Sequence, residues 1–335
     1  IIYLNIVYYN FYMDKNFLDR NLALEAIRVT EAAALSSSLQ MGRGDEKAAD
    51  QAAVNAMREF LNNLSISGTI IIGEGERDKA PMLYIGEKVG LGGPKVDIAL
   101  DPLEGTTITA KGGENALSVL AMAEAGGFLH SPDIYMHKIA YGKKYEGLDI
   151  DPESPADDII TSFAKYSEIK IENIVVCVLD RPRHEMLIKK IRSTGARIKL
   201  IPDGDVSAVI ATSFEDSGVD IYMGIGGSPE GVLAAAALRC IGGKIYTKLI
   251  FDNDYDKERA SSMGITDPNR IYRTNDLASG DVMFSATGVT DGTLLKGVLI
   301  KNEVATTQSV IMRSKTKTVR YVSASHDLRV KDIVK

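Results

Sequence analysis

The spacing of apolar residues predicts two helices early in the chain, followed by strands that alternate with helices. Residues 18–40 show an Ala-rich helical pattern, and Asp45 is placed to cap a second helix that reaches about Leu64. Short apolar runs bounded by turn residues predict strands over 69–72, 96–100, 117–123, 174–179, 198–201, 219–223 and 244–247. Further helices are predicted over 183–193, 205–211 and 229–240, and the β-branched stretch 282–325 predicts hairpins. This order is typical of a layered α/β (α+β) protein.

Composition excludes several classes of function. The chain has 335 residues, of which 45% are hydrophobic and 25% are charged, as in globular proteins. A net charge of −6 argues against a protein that coats nucleic acid, so any phosphate recognition must be local. Two cysteines and four histidines do not suit a disulfide framework or a zinc cluster. Residues 1–12 are apolar but too few to span a bilayer, and they lack the features of a signal peptide.

Two carboxylates and a hydroxyl follow the predicted strand 96–100, in the sequence Asp101-Pro-Leu-Glu-Gly-Thr106. Pro102 removes a ladder N–H, which predicts that the backbone turns away from the strand here. The glycine of this motif lets the turn approach a bound anion. The two acids would repel each other unless a cation lay between them, which favours a divalent metal site over a polar turn capped by acids.

Other carboxylates are expected to join these two. Asp50 shares a face of the second predicted helix with Val54 and Met57. A carboxylate on such a face is costly unless it is paired or binds metal, although an acid in the first turn also favours the helix dipole. Glu74 follows the first predicted strand, and Glu230 is a possible fifth member. All-oxygen ligation suits Mg²⁺ or Mn²⁺, and such clusters typically serve phosphoryl chemistry.

Three strand-to-helix turns carry groups suited to phosphate or sugar recognition. In Gly224-Ile-Gly-Gly-Ser-Pro-Glu230, free N–H groups could hold an anion. The two arginines of Arg181-Pro-Arg183-His184 could bind a second phosphate through bidentate contacts, or this segment is an ordinary solvated basic turn. Pro202-Asp-Gly-Asp205 could accept hydrogen bonds from sugar hydroxyls, or cap the following helix. His137 and His184 show no pattern of a nucleophilic triad and are interpreted as structural.

In combination these segments resemble class II fructose-1,6-bisphosphatase. The earlier matching segments are Gly44-Asp45, Ala49-Asp50, Ala52–Arg58, Ile72–Glu76, Ala80–Glu87 and Asp101–Thr106. The later ones are Asn115-Ala116, Pro132–Tyr135, Arg181–Arg183, Pro202–Asp205 and Gly226–Gly231. The resemblance covers nearly all of the chain after Met13. The Asp-Pro-x-Glu-Gly-Thr element alone is similar only to the wider lithium-sensitive sugar phosphatase superfamily.

The resemblance implies a sugar-phosphatase fold of alternating α-β-α-β-α layers. It also implies hydrolysis of the 1-phosphate of fructose 1,6-bisphosphate in gluconeogenesis, with Mn²⁺ or Mg²⁺ as cofactor. A charged segment, 145–170, is the candidate connection between a metal-binding N-terminal α/β domain over 13–160 and a substrate-binding C-terminal α/β domain over 161–335. Residues 1–12 are expected to be a gene-model extension, with a small extra strand or a partner contact as the alternative.

Residue by residue, the resemblance implies three functional sets. The metal ligands are Asp50, Glu74, Asp101, Glu104 and Glu230. The substrate contacts are Gly105, Thr106, Tyr135, Arg181, Pro182, Arg183, Asp203, Gly204, Asp205 and Gly227. The catalytic residues are Asp78 as the acid and Thr106 as the group that orients the attacking water.

One departure from the family pattern concerns a third catalytic residue, a lysine. The family commonly shows Gly-Asp-Lys, whereas this chain has Gly44-Asp45-Glu46-Lys47. Lys47 lies three residues before Asp50 and faces the same side of a helix, so it is the candidate replacement.

The function implied by the resemblance has three alternatives. They are a phosphatase that also accepts sedoheptulose 1,7-bisphosphate, an inositol-phosphatase-like relative, and a catalytically dead sugar-phosphate-binding regulator. The resemblance further implies a cytoplasmic homodimer or homotetramer. Its partner is expected to be a small sugar bisphosphate, with no nucleic acid and no membrane.

Overall fold

A computed structural model describes residues 22–74 and 82–330 of the chain. Helix α1 comprises residues 22–38. The other helices are α2 (Glu46–Asn62), α3 (Thr106–Lys111), α4 (Ala156–Tyr166), α5 (Glu185–Ser193), α6 (Asp205–Ala211), α7 (Ser228–Ile241), α8 (Asp254–Ser262) and α9 (Thr274–Leu277). The strands are β1 (Ser67–Ile72), β2 (Lys88–Val89), β3 (Lys95–Glu104), β4 (Leu117–Glu124), β5 (Tyr135–Tyr141), β6 (Val175–Leu179), β7 (Arg197–Ile201), β8 (Ile221–Gly227), β9 (Lys244–Leu249), β10 (Ile271–Arg273), β11 (Val282–Gly288), β12 (Leu299–Lys301), β13 (Val304–Arg313) and β14 (Thr318–Asp327).

The strands form two mixed sheets. Sheet 1 has the order β12-β13-β11-β4-β3-β1-β2, and β14 also pairs with β13. Sheet 2 has the order β10-β9-β5-β8-β6-β7. In sheet 1 β1 is parallel to β3, and in sheet 2 β6 is parallel to both β7 and β8, whereas β5 is antiparallel to both of its neighbours.

Three hydrophobic cores separate the layers. Helices α1 and α2 pack on one face of sheet 1. Helices α6 and α7 lie between the two sheets, while α4 and α5 cover the outer face of sheet 2. Helix α7 is apolar on most of its circumference, with Ala234–Ala237 all buried, because both of its sides face a sheet. The resulting α-β-α-β-α order confirms the predicted fold class.

Most predicted elements are present, although several short elements, strand β5 and helix α4 were not predicted. Asp45 caps α2 by accepting a hydrogen bond from the Ala48 N–H at 2.9 Å, as predicted. Strand β5 does not follow from the sequence because polar residues interrupt its apolar pattern. Helix α4 does not follow from it either, and it lies inside the charged segment 145–170, the candidate connection between domains. In both segments charged residues obscure the periodic spacing of the hydrophobic residues.

The sheets are not divided at residue 160. Strand β5 precedes that residue but belongs to sheet 2, whereas β11–β14 follow it and belong to sheet 1. The two sheets thus do not follow the predicted division into domains 13–160 and 161–335, and that division stays a prediction. The expectation for residues 1–12 falls on residues outside the described part of the chain. Among the described residues, no helix is both long enough and apolar enough to cross a membrane.

Candidate active site

A β-bulge aligns the two acids of the Asp101 motif. Strand β3 continues through Pro102 to Glu104, so the predicted turn away from the sheet at Pro102 is wrong. Asp101 pairs with Val119 of β4 and Glu104 pairs with Leu117, so three steps along β3 match two along β4. In a regular strand, residues three apart point to opposite faces. The extra residue of the bulge places both carboxylates on the same face.

Glu230 in the first turn of α7 completes a cluster with these two acids. Carboxylate oxygens of Asp101, Glu104 and Glu230 lie within 4.8 Å of one another. The Oε2 atom of Glu230 is buried and accepts no hydrogen bond from any residue that the structure describes. A buried carboxylate oxygen without a donor needs a positive partner. The three oxygens suit a hard divalent cation.

Glu74 and Asp50 stand beside this cluster. The Glu74 N–H donates to the Leu83 carbonyl at 2.9 Å, and this bond holds the residue just after β1. The pKa of Glu74 is raised to about 9, mostly by burial and in addition by the charges of Asp101 and Asp50. Burial also raises the pKa of Asp50, which is half-buried on α2. Helix α2 and the end of β1 thus bring two more carboxylates toward Asp101.

The cluster favours protonated acids in the absence of a cation. Burial raises the pKa of Asp101 to about 6, although a hydrogen bond with Glu104 acts in the opposite direction. Burial raises the pKa of Glu104 well above its usual value, and the charge of Asp101 adds to the effect. Burial raises the pKa of Glu230 to about 7, with Lys138 acting to lower it. A bound divalent cation would replace these protons.

The start of α6 adjoins the cluster from the side of sheet 2. Gly204 has a φ of 83°, a conformation that glycine adopts without strain, and it leads directly into Asp205. The Val206 N–H donates to Glu104 Oε1 at 3.2 Å. Asp205, the first residue of α6, is therefore placed next to the cluster. Gly105 has a φ of 99° and leads into Thr106, the first residue of α3, in the same way.

Asp203 connects this region with Arg181 and with the start of α2. An Arg181 guanidinium nitrogen lies 3.8 Å from Asp203 Oδ1, which also accepts the Gly204 N–H at 3.1 Å. Burial raises the pKa of Asp203, and Glu46 is among the charges that raise it further. Glu46 is thus close enough to Asp203 to act on it. Lys47 is exposed, at the second position of α2.

Arg183 and His184 both form hydrogen bonds with the backbone of Ile225 in strand β8. Arg183 donates from Nε and Nη2 to the Ile225 carbonyl at 3.1 and 3.0 Å, and its guanidinium lies 4.7 Å from the centre of the Tyr135 ring. Buried His184 accepts the Ile225 N–H at Nε2, 2.7 Å away, and its Nδ1 lies 2.7 Å from the Leu179 carbonyl. These contacts agree with a structural role for His184, and Pro182 lies on the exposed turn beside it.

The glycine-rich run before α7 is a strand and not an open anion-binding loop. Gly226 and Gly227 belong to β8 and pair with β5. A Cβ atom at Gly227 would overlap the carboxylate of Glu230. A Cβ atom at Gly226 would overlap the carboxylate of Asp205 and lie 3.0 Å from Lys138 Nζ. The glycines are needed because these polar side chains pass against the backbone.

Two residues near the site were not found from the sequence. Lys138 is buried, and its Nζ lies 2.7 Å from Asp205 Oδ2. Asp133 is among the charges that raise the pKa of Glu74. A lysine in a strand is usually exposed, so no local pattern indicated that Lys138 points inward. Asp78 lies outside the described residues.

The chain is similar to fructose-1,6-bisphosphatases along most of its length. Residues 20–326 match the family described as "Bacterial fructose-1,6-bisphosphatase, glpX-encoded". A protein of Escherichia coli (strain K12) named "Fructose-1,6-bisphosphatase 1 class 2" is 45% identical, over 93% of this chain and 97% of its own length. A protein of Synechococcus sp. (strain JA-3-3Ab) named "D-fructose 1,6-bisphosphatase class 2/sedoheptulose 1,7-bisphosphatase" is 43% identical, over 92% of this chain and 96% of its own length.

Proposed function

Because the chain belongs to the bacterial, class 2 fructose-1,6-bisphosphatase family, we propose that it removes the 1-phosphate of fructose 1,6-bisphosphate, leaving fructose 6-phosphate and inorganic phosphate. The reaction is a step of gluconeogenesis. The observation that carries the proposal is the cluster of Asp101, Glu104 and Glu230, whose oxygens lie within 4.8 Å of one another. Such a cluster fits the divalent metal on which this family depends.

The metal would be held by carboxylates alone. Asp101, Glu104 and Glu230 would bind it, with Glu74 and Asp50 as further ligands. Because every donor is an oxygen, Mg²⁺ or Mn²⁺ is preferred over zinc. When bound, such a metal supplies charge neutralisation on the phosphoryl group and lowers the pKa of water.

The protein's own groups would position the substrate and move its protons. Thr106 would orient the attacking water, while Asp78 would take and return protons as the phosphate leaves. Arg181 and Arg183 would hold the 6-phosphate, since two guanidinium groups at one strand end suit bidentate contacts with phosphate oxygens. This distant anchor orients the 1-phosphate without taking part in the reaction.

The sugar would lie between these two phosphate sites. Asp203 and Asp205 would accept hydrogen bonds from its hydroxyl groups, and Tyr135 would pack beside the anchored phosphate. The remaining contacts would come from backbone at Gly105, Pro182, Gly204 and Gly227. Lys47 would supply the ammonium that the family commonly has one position earlier, because it lies on the same side of α2 as Asp50.

A phosphate-release assay tests the proposal directly. With fructose 1,6-bisphosphate we expect turnover in Mn²⁺ or Mg²⁺ and none in excess chelator. Glu104→Gln should lower metal-dependent turnover by at least about 100-fold, since even residues behind metal ligands contribute 10- to 100-fold to affinity. Glu87→Gln is the matched control, because Glu87 is 5% exposed and Glu104 6%, but Glu87 pairs with Arg58 at 2.6 Å. Full activity in Glu104→Gln would refute the metal assignment.

A second activity is supported by the Synechococcus relatives, whose names include sedoheptulose 1,7-bisphosphatase. Measuring kcat/KM for both bisphosphates separates the single from the dual activity. Binding of the bisphosphate without turnover at saturating Mn²⁺ would instead indicate a catalytically dead regulator that binds sugar phosphates.

We further propose that the protein is a cytoplasmic homodimer or homotetramer. Size-exclusion chromatography with light scattering would test the oligomeric state.

A further inference from the structure

Lys138 is an ammonium in the interior of the molecule. Its side chain is 0% exposed, and it projects from the middle of β5 toward α7. The neighbouring residues Met136 and Ala140, which point to the same face of β5, are apolar and fully buried. A buried lysine generally contributes less to stability than a well-packed apolar side chain, since removing its charge from water costs several kcal/mol. Packing alone therefore does not account for a lysine here.

The partner of Lys138 is Asp205, which lies beside the carboxylate cluster. Lys138 Nζ donates to Asp205 Oδ2 at 2.7 Å, and the Tyr222 hydroxyl donates to the same oxygen at 3.4 Å. Both of these donors contact Oδ2, and neither contacts the other oxygen, Oδ1. The lysine and the tyrosine thus determine which Asp205 oxygen is occupied and which is available to a ligand.

The surroundings leave Lys138 little freedom. A Cβ atom at Gly226 would lie 3.0 Å from its Nζ, and one at Gly231 would lie 3.4 Å from its Cε. Two glycines thus form the channel through which the lysine reaches Asp205. Because a buried ammonium held between backbone segments cannot swing, it fixes the carboxylate more firmly than an exposed lysine would.

We propose that Lys138 is a positioning residue for the sugar: it holds Asp205 by Oδ2 so that Oδ1 receives a hydroxyl of the bound sugar phosphate. This role rests on the proposed function, in which Asp205 contacts the substrate. Lys138 therefore determines affinity for the sugar and leaves the chemical step largely unchanged.

Three variants test this role: Lys138→Met, Asp205→Asn, and the two combined. Lys138→Met should raise KM for fructose 1,6-bisphosphate and Kd for fructose 6-phosphate by at least about 10-fold, with kcat within about 3-fold. The Kd for Mn²⁺, measured by calorimetry at pH 8, should not weaken, because the change removes a positive charge that acts on the metal ligand Glu230. Lys244→Met is the matched control, because this lysine lies on β9 and donates to the Leu148 carbonyl. Its KM and both Kd values should equal those of the wild type.

The double variant separates positioning from simple stabilisation. Lys138→Met alone leaves the buried Asp205 carboxylate without its ammonium partner, whereas the double variant has neither charge. Its Tm should therefore exceed that of Lys138→Met. Its KM should stay as high as that of Asp205→Asn alone. Recovery of KM together with Tm would overturn the proposal, because KM would then follow stability. An unchanged KM in Lys138→Met, or a weakened Mn²⁺ Kd in the double variant, would also overturn it. If Lys138→Met does not fold, the double variant carries the test through its KM and Mn²⁺ Kd.

The proposed function is tested separately by the wild-type protein. Absence of turnover there would refute the phosphatase activity, whereas the Kd for fructose 6-phosphate would still report on Lys138. Turnover in the wild type with an unchanged Kd in Lys138→Met would refute the role of Lys138 alone.

Discussion

Binding of a divalent metal to the carboxylate cluster should release protons. Glu74, Glu230 and Asp101 have pKa values raised to about 9, 7 and 6, mainly by burial. These carboxylates must lose any protons they carry to bind a cation. With those pKa values the three groups carry about one proton in total at pH 8 and between about two and three at pH 6. Glu104, whose pKa is also raised, adds at most one more at either pH.

The number of protons released determines how affinity changes with pH. For each pH unit, the logarithm of the apparent Mn²⁺ affinity rises by the number of protons released. Affinity should therefore increase by at least on the order of 1,000-fold between pH 6 and pH 8. Calorimetric titration with Mn²⁺ measures the release directly. The observed enthalpy is compared in buffers of different ionisation enthalpy, and the slope of that plot is the number of protons.

Variants identify the protons that are released. On binding Mn²⁺ at pH 8, Glu74→Gln should release about one proton fewer than the wild type, because Glu74 is mostly protonated at that pH before the metal binds. Glu87→Gln, which changes a buried carboxylate outside the cluster, should match the wild type. Tight Mn²⁺ binding with an enthalpy independent of buffer would refute the reasoning. It would mean that the carboxylates are ionised before metal arrives, despite burial and mutual repulsion.

Three further predictions concern stability and turnover. When metal is removed with chelator, the raised pKa values of Glu74 and Glu230 stabilise the folded protein fully below about pH 4.5, the pKa of glutamate in the unfolded chain. This contribution is lost as the pH rises to about 9, so Tm should fall over this range. A constant or rising Tm would contradict the pKa assignments. Gly227→Ala should weaken Mn²⁺ activation by at least about 10-fold, because the added methyl group would displace Glu230, and unchanged Mn²⁺ dependence would contradict this contact. Lys47→Met should lower kcat by at least about 10-fold while Glu46→Gln stays within about 3-fold, and equal small effects would exclude Lys47 as the replacement lysine.

Local sequence patterns predicted individual elements well where one period dominated. The cap at Asp45, the helix α7 and the strand β4 follow from a capping residue, an apolar run and its bounding turns. Strand β5 could not be found in this way. Its burial depends on pairing with β8 and β9, whose paired residues lie at least 80 residues further along the chain. Long-range pairing leaves no local period when buried positions are polar.

The sequence by itself determined which chemical groups are present and at which strand and helix ends they stand, because capping, periodicity and strand-end motifs are local properties. Asp101 and Glu104 were identified in this way, and Glu230 was identified as a possible further member of the cluster. Only the tertiary structure decided that the bulge in β3 turns Asp101 and Glu104 to one face. It alone also decided that the glycines of β8 clear space for Glu230 and Lys138. Both outcomes depend on strands paired across the fold and on layers packed against each other, and a one-dimensional pattern does not record such contacts.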